Sequence, residues 1–169
     1  MRAEVLFSGY LTLRRFTGAG GPIEVLSGPG HDVVVVTCWM RTPAGVRFAV
    51  KRGDTRPARV LRGRPYVLRG LVAGRLDHPG HAAAAVGRAE VEEEIGGRVR
   101  GEVETLGPVP VPTMPVASTE ADLHVLAEVE LAPDAQPSGD GGGMEVPELL
   151  GHDLMTPAEV LRRIRAGEL

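Results

Sequence analysis

Four consecutive valines, Val33 to Val36, constrain this chain more than any other feature. They open an apolar run over residues 33–40 that only Thr37 interrupts. An unbroken row of β-branched side chains suits a strand covered on both faces, because a half-exposed strand alternates apolar and polar positions. The run is too short to cross a bilayer, which takes about 20 apolar residues as a helix. A strand of this kind needs layers on both sides of its sheet. A chain of 169 residues is long enough to supply them within one domain.

The remaining elements follow from periodicity and punctuation. Residues 4–16 read as one strand, with Val5, Phe7, Leu11 and Leu13 apolar, and residues 23–26 as a short second strand after a Gly-rich turn. Thr42-Pro-Ala-Gly45 turns the chain into residues 46–51, predicting a hairpin with the valine strand. An Arg-rich loop over residues 53–65 leads to a short strand at 66–72. Residues 82–95 are filled with alanine and glutamate and stopped by Gly96-Gly97, the strongest helix in the sequence. Residues 99–106, 109–111, 121–131 and 146–155 read as extended, the second of these crowded by prolines. Thr156 predicts a capped last helix, with Pro157 at its first position and Glu159 three residues after the cap, burying Val160, Leu161 and Ile164. Strands with two helices in this order predict an α/β fold with a mixed sheet packed between helices. Residues 1–30 form N-terminal strands ahead of a domain over 31–169.

Charge narrows the partners. The net charge of −3 implies no polyelectrolyte such as nucleic acid. Nine basic residues and only one acid lie between Arg41 and Arg69, while residues 101–150 carry ten acids and no Lys or Arg. Brought together, these segments would offer cations for phosphate and carboxylates for metal; apart, they are two solvated faces. Residues 1–13 lack a signal peptide's basic start, apolar run and small-residue cleavage site, and Cys38 is the sole cysteine. Both predict a soluble cytoplasmic protein without a membrane partner.

The acidic run of the helix is the chemical centre. Glu90, Glu93 and Glu94 are spaced i, i+3, i+4 and so share one helical face, whereas Glu92 points elsewhere. Like charges at this spacing oppose the helix by roughly 0.2–0.5 kcal/mol per pair, and they lie near its C-terminus, where negative charge is disfavoured. A solvated acidic face tolerates this cost. A hard divalent cation offsets it, since Mg2+ takes carboxylate oxygens, keeps waters and bridges to phosphates.

The stretch Gly74-Arg-Leu-Asp-His-Pro-Gly-His81, followed by Glu90-Val-Glu-Glu-Glu-Ile-Gly96, resembles the Nudix box, G-x5-E-x7-R-E-U-x-E-E-x-G-U with U apolar. Glu90, Glu93, Glu94 and Gly96 fall on its second Glu, its Glu pair and its final Gly, and Val91 on the apolar position. Val72-Ala-Gly-Arg-Leu-Asp77 is similar to the lead into the box in the sugar-nucleotide branch, which includes ADP-ribose and GDP-mannose pyrophosphatases. Residues 115–127, Gly141-Gly-Gly-Met-Glu145 and residues 156–169 resemble later parts of that branch. Two box positions depart: its first Glu falls on His81 and its Arg on Ala89, and one extra residue stands in the loop near Pro79. Arg88 is adjacent to the missing Arg but turned by about 100°.

The resemblance implies a Nudix-type α/β/α sandwich with a mixed sheet and a loop–helix–loop catalytic motif. It implies Mg2+ or Mn2+ on Glu90 and Glu94, assisted by Glu93 and the Ala73 or Gly74 carbonyl. The reaction it implies splits a small-molecule nucleotide sugar, similar to ADP-ribose, into a nucleoside monophosphate and a sugar phosphate. Glu93 and Glu94 would share the catalytic work with a general base from Glu145 or Asp140. Glu120 is a further acid near the substrate, and Arg52 and Arg56 stand where the branch often places a phosphate-binding Arg. Its members are usually homodimers through the N-terminal strands. Ala89 and His81 motivate an alternative, a Nudix-fold protein that binds nucleotide with impaired turnover; a hydrolase of another nucleotide is a third. Trp39 reads as core. No zinc cysteine pair, nucleophile elbow, Walker loop or dinucleotide glycine fingerprint competes.

Overall fold

The computed structural model describes residues 2–9, 12–27, 32–54, 67–76, 82–107, 111–112, 121–138 and 148–169. The N-terminal segment is an antiparallel three-stranded sheet of β1 (Arg2–Ser8), β2 (Thr12–Gly18) and β3 (Gly21–Ser27). The single strand expected over residues 4–16 is thus two. Alternation runs on both sides of residues 9–11, so periodicity alone does not reveal that the chain doubles back between the two. Val5, Phe7 and Ile23 on this sheet are exposed.

The second sheet has eight strands in the described residues and is mixed. Its central path runs β11 (Glu148–Met155), β5 (Gly45–Asp54), β4 (Val33–Thr42), β10 (Ala121–Glu130), β8 (Arg98–Thr105). β10 lies parallel to β4, with Val36 beside Val125 and Cys38 beside Ala127; the other pairings are antiparallel. A two-residue strand, β9 (Val111–Pro112), borders β10.

One irregularity positions the site. β4 and β5 pair only from Cys38↔Ala49 to the turn at Gly45, then diverge. β6 (Val67–Gly70) pairs with β5 beyond that point, and β7 (Val72–Arg75) pairs with β4 before it. The expected strand over residues 66–72 is therefore a strand interrupted at Leu71, wedged into the opening and continued to Arg75. In β7, Val72 and Gly74 share a face with Val36 and Val34, their register partners.

Helix α1 (Ala83–Ile95) packs on that face. It buries Gly87, Val91 and Ile95 against Val34, Val36, Cys38, Ala49, Val72, Val125, Ala127 and Val129, all nearly inaccessible to solvent. Gly87 weakens a helix interior by about 0.5–1 kcal/mol relative to Ala, yet its Cβ would stand 3.1 Å from Val36 Cγ2. The missing methyl lets helix and sheet approach. Val33 and Val35, on the opposite face, are only half-buried, so the valine strand is fully covered on one side among the described residues. Trp39, expected in the core, is likewise half-buried, with the Arg41 guanidinium over its ring at 5.1 Å.

Helix α2 (Pro157–Arg165) begins with the expected capping box: Glu159 N–H donates to Thr156 Oγ1 at 3.1 Å, and Thr156 N–H donates to Glu159 Oε2 at 2.7 Å. The Thr156 N–H and then the Thr156 hydroxyl, both donating to Glu159 Oε2, hold the Glu159 carboxyl below its ordinary pKa. Thr156→Ala is expected to cost about 1 kcal/mol of stability, read as a lower denaturant midpoint at unchanged slope. The expected burial of this helix is not found. Leu161 and Ile164 are both 53% exposed, and no residue of α2 is fully buried. The 3.6-residue period marks an apolar stripe correctly but does not say what lies opposite it.

Candidate active site

The acidic helix face meets the wedge strand. Glu90 and Glu94, one turn apart on α1, are half-buried and directed at two adjacent residues of β7. The Ala73 N–H donates to Glu94 Oε2 at 3.0 Å. A Cβ on Gly74 would fall on the carboxyl end of Glu90, so this position accommodates the Glu90 side chain by having none of its own. Glu93, the third acid of the face, is exposed, as is Ala89. Arg88, beside Ala89, turns away from the acids: its guanidinium donates to the Gly101 carbonyl on β8.

Lys51 completes the arrangement. Its Nζ donates to Glu94 Oε1 at 2.5 Å, with the two side chains 21% and 13% exposed. Successive strand residues point to opposite faces, and Ala49 faces α1, so Lys51 does too while Arg52 does not. The charge cost of acids near a helix C-terminus is thus offset in part by a lysine from β5. Sequence reasoning missed Lys51, which stood in an Arg-rich stretch with nothing to mark its face. It also missed His152, the register partner of Lys51 on β11. His152 Nδ1 is buried with no hydrogen-bond partner among the described residues. Burial, then the nearby Arg52, lowers the His152 pKa, and Asp153 opposes them.

Arg52 lies on the other side of the sheet. Its Nε stands 3.3 Å from Asp153 Oδ1, and Arg69, its register partner on β6, donates from Nε to Asp153 Oδ2 at 2.9 Å. The fold therefore brings Glu90, Glu94 and Ala73 together, leaves Glu93 toward solvent and sends Arg52 to the opposite face. His81, Arg56, Glu120, Asp140 and Glu145 lie outside the described residues. Among the described residues, no group of three or more His, Cys, Asp or Glu side chains is gathered as a cation site, and no helix is long and apolar enough to cross a membrane.

The C-terminal end of α1 is fixed by backbone. Gly96 follows in the left-handed conformation at φ 67°, its N–H donating to the Glu92 carbonyl at 3.0 Å. Ser138 Oγ donates to the same carbonyl at 3.2 Å. The Gln136 peptide lies where a Cβ on Gly96 would stand. Beneath the helix, the Cys38 thiol is pushed up to about 12, chiefly by burial and then by the Glu94 charge. The thiolate is the reactive form, so Cys38 is expected to resist a thiol reagent at about pH 8 in the native protein and to react fully once denatured.

No protein-family model matches the chain, and no curated protein matches it. Its class is accordingly given by its own structure: a mixed α/β protein, mostly strand, in which a helix closes over a wedge strand of a mixed sheet with Glu90 and Glu94 directed at it.

Proposed function

We propose that this protein is a Nudix-type hydrolase that cleaves the diphosphate of a nucleoside diphosphate linked to a sugar, with Mg2+ or Mn2+ held by Glu90 and Glu94. One observation carries the reading: two carboxylates one helical turn apart converge on the adjacent Ala73 and Gly74 of a strand. The donors fit the ion. Mg2+ is usually held by one or two carboxylates and completes its shell with water and substrate phosphate. When bound, such an ion supplies positive charge to the diphosphate oxygens and acidifies water.

The chain's own groups supply the rest. Ala73 N–H fixes the Glu94 carboxylate, and Gly74 leaves room for Glu90, so both ligands are oriented before substrate arrives. In the cleavage, a water oxygen bonds to one phosphorus and the bridging P–O bond breaks. The bridging oxygen leaves with its electron pair on the departing phosphate. The water's proton passes to a carboxylate, for which Glu93, exposed on α1, is one candidate, and Asp140 and Glu145, outside the described residues, are the others. The α/β/α sandwich, a phosphate-binding Arg56 and the dimer belong to the same proposal, whereas Arg52, beside Asp153 on the opposite face of the sheet, does not.

The pairing of Lys51 with Glu94, together with alanine at position 89, supports a second reading, a nucleotide-binding module with impaired turnover. Incubation with ADP-ribose and GDP-mannose, with and without Mg2+ or Mn2+, separates the two. Metal-dependent release of nucleoside monophosphate is expected of the hydrolase. Calorimetric binding of nucleotide without release supports the module and overturns the hydrolase.

A further inference from the structure

The ammonium of Lys51 occupies one oxygen of the very carboxylate that the proposed metal needs. Glu94 is 13% exposed, and a carboxylate this withdrawn from water requires a compensating partner. The Ala73 amide serves Oε2. Lys51 Nζ, at 2.5 Å, serves Oε1. Lysine is a compact point charge on a flexible stem, so it can hold the carboxylate and be withdrawn from it. Its approach is fixed by β5, whose Ala49 is locked in the core two residues earlier.

Resting on the metal reading above, we propose that Lys51 is a positioning residue that acts as a built-in counter-cation for Glu94, and that a divalent ion must displace it to bind. Two consequences follow in the free protein. The Glu94 carboxylate stays oriented when no metal is present, and metal affinity is lower than the carboxylates alone would give. A cation of like charge beside the ligand opposes the incoming ion, whereas an uncharged side chain of similar length does not. Lys51 belongs to no recognised box position; its role is read from the contact alone.

The test is Mn2+ binding to the full-length chain, measured by calorimetry and by the resonance signal of free Mn2+, for wild type, Lys51→Met, Lys51→Arg and Lys51→Met combined with Glu94→Gln. A unit positive charge within about 4 Å opposes a divalent ion by about tenfold or more in affinity even when strongly screened, so Lys51→Met is expected to bind Mn2+ about tenfold or more tighter. Lys51→Arg should return to wild-type affinity, and the double variant should lose the gain. A merely structural lysine would lower the melting temperature of Lys51→Met without tightening metal. Should the Met variant fail to fold, Lys51→Gln takes its place. Mn2+ binding by wild type with no tightening in the uncharged variant overturns the role of Lys51 and leaves the metal site standing. Absence of Mn2+ binding in every variant overturns both.

Discussion

Glu94→Gln is expected to reduce the proposed metal-dependent cleavage of nucleotide sugars more than about 100-fold. Losing a supporting group beside a metal costs about 10- to 100-fold, and losing a ligand exceeds that. The amide keeps the shape of the side chain and can still accept from Ala73 N–H, so the backbone around β7 has no reason to move. What changes is charge. With its one oxygen on Ala73 N–H, the amide turns an NH2 donor toward Lys51, so the acceptor now held at 2.5 Å is lost and the proposed ion loses a ligand. Steady-state rates across a Mn2+ titration, beside a thermal melt of the same preparation, distinguish lost chemistry from lost fold. Turnover equal to wild type would remove Glu94 from the reaction.

The second large effect is on stability. Gly96→Ala combines two penalties. At φ 67° an L residue pays roughly 1–2 kcal/mol for the left-handed conformation. The new methyl would also meet the Gln136 peptide, whose backbone cannot rotate aside like a side chain, and forcing such a shift costs about 1–3 kcal/mol more. A total of about 2–5 kcal/mol corresponds to roughly 4–20 °C in melting temperature for a chain of this size. An unchanged melt would mean that the 132–138 segment does not press on the helix end. Because Glu94 is two residues earlier, the variant should weaken Mn2+ binding as well.

Local chemistry made much of this legible in the sequence. The helix over residues 82–95, its glycine stop, the hairpin at Gly45 and the Thr156 capping box each depend on a few neighbouring residues, and they stand within a residue or two of expectation. The shared direction of Glu90 and Glu94 follows from helical spacing and is found at β7. Glu93 shares that spacing yet is exposed, because a helix face is wider than the strand it meets.

What stayed hidden depends on partners distant in sequence. Lys51 and Arg52 are adjacent cations, and only the register of β5 against β4 decides that the first faces Glu94 and the second Asp153. His152 meets Lys51 only because the β5–β11 register shifts between Leu149 and His152, where Gly151 adopts a positive φ. Leu161 and Ile164 carry a sound amphipathic pattern, but pattern does not specify a partner surface. The wedge of β6 and β7 arises where two strands diverge, and divergence has no signature in either strand alone.

The central claim is that Glu90 and Glu94 hold a divalent cation against Ala73 and Gly74. Crystals soaked in Mn2+ with ADP-ribose, with data collected at the manganese absorption edge, test it most directly. An anomalous peak is expected within about 2.0–2.3 Å of both carboxylates, the usual span for small divalent ions on oxygen, with a phosphate oxygen completing the shell. Ligand present with no peak there, and both carboxylates turned to solvent, would contradict it.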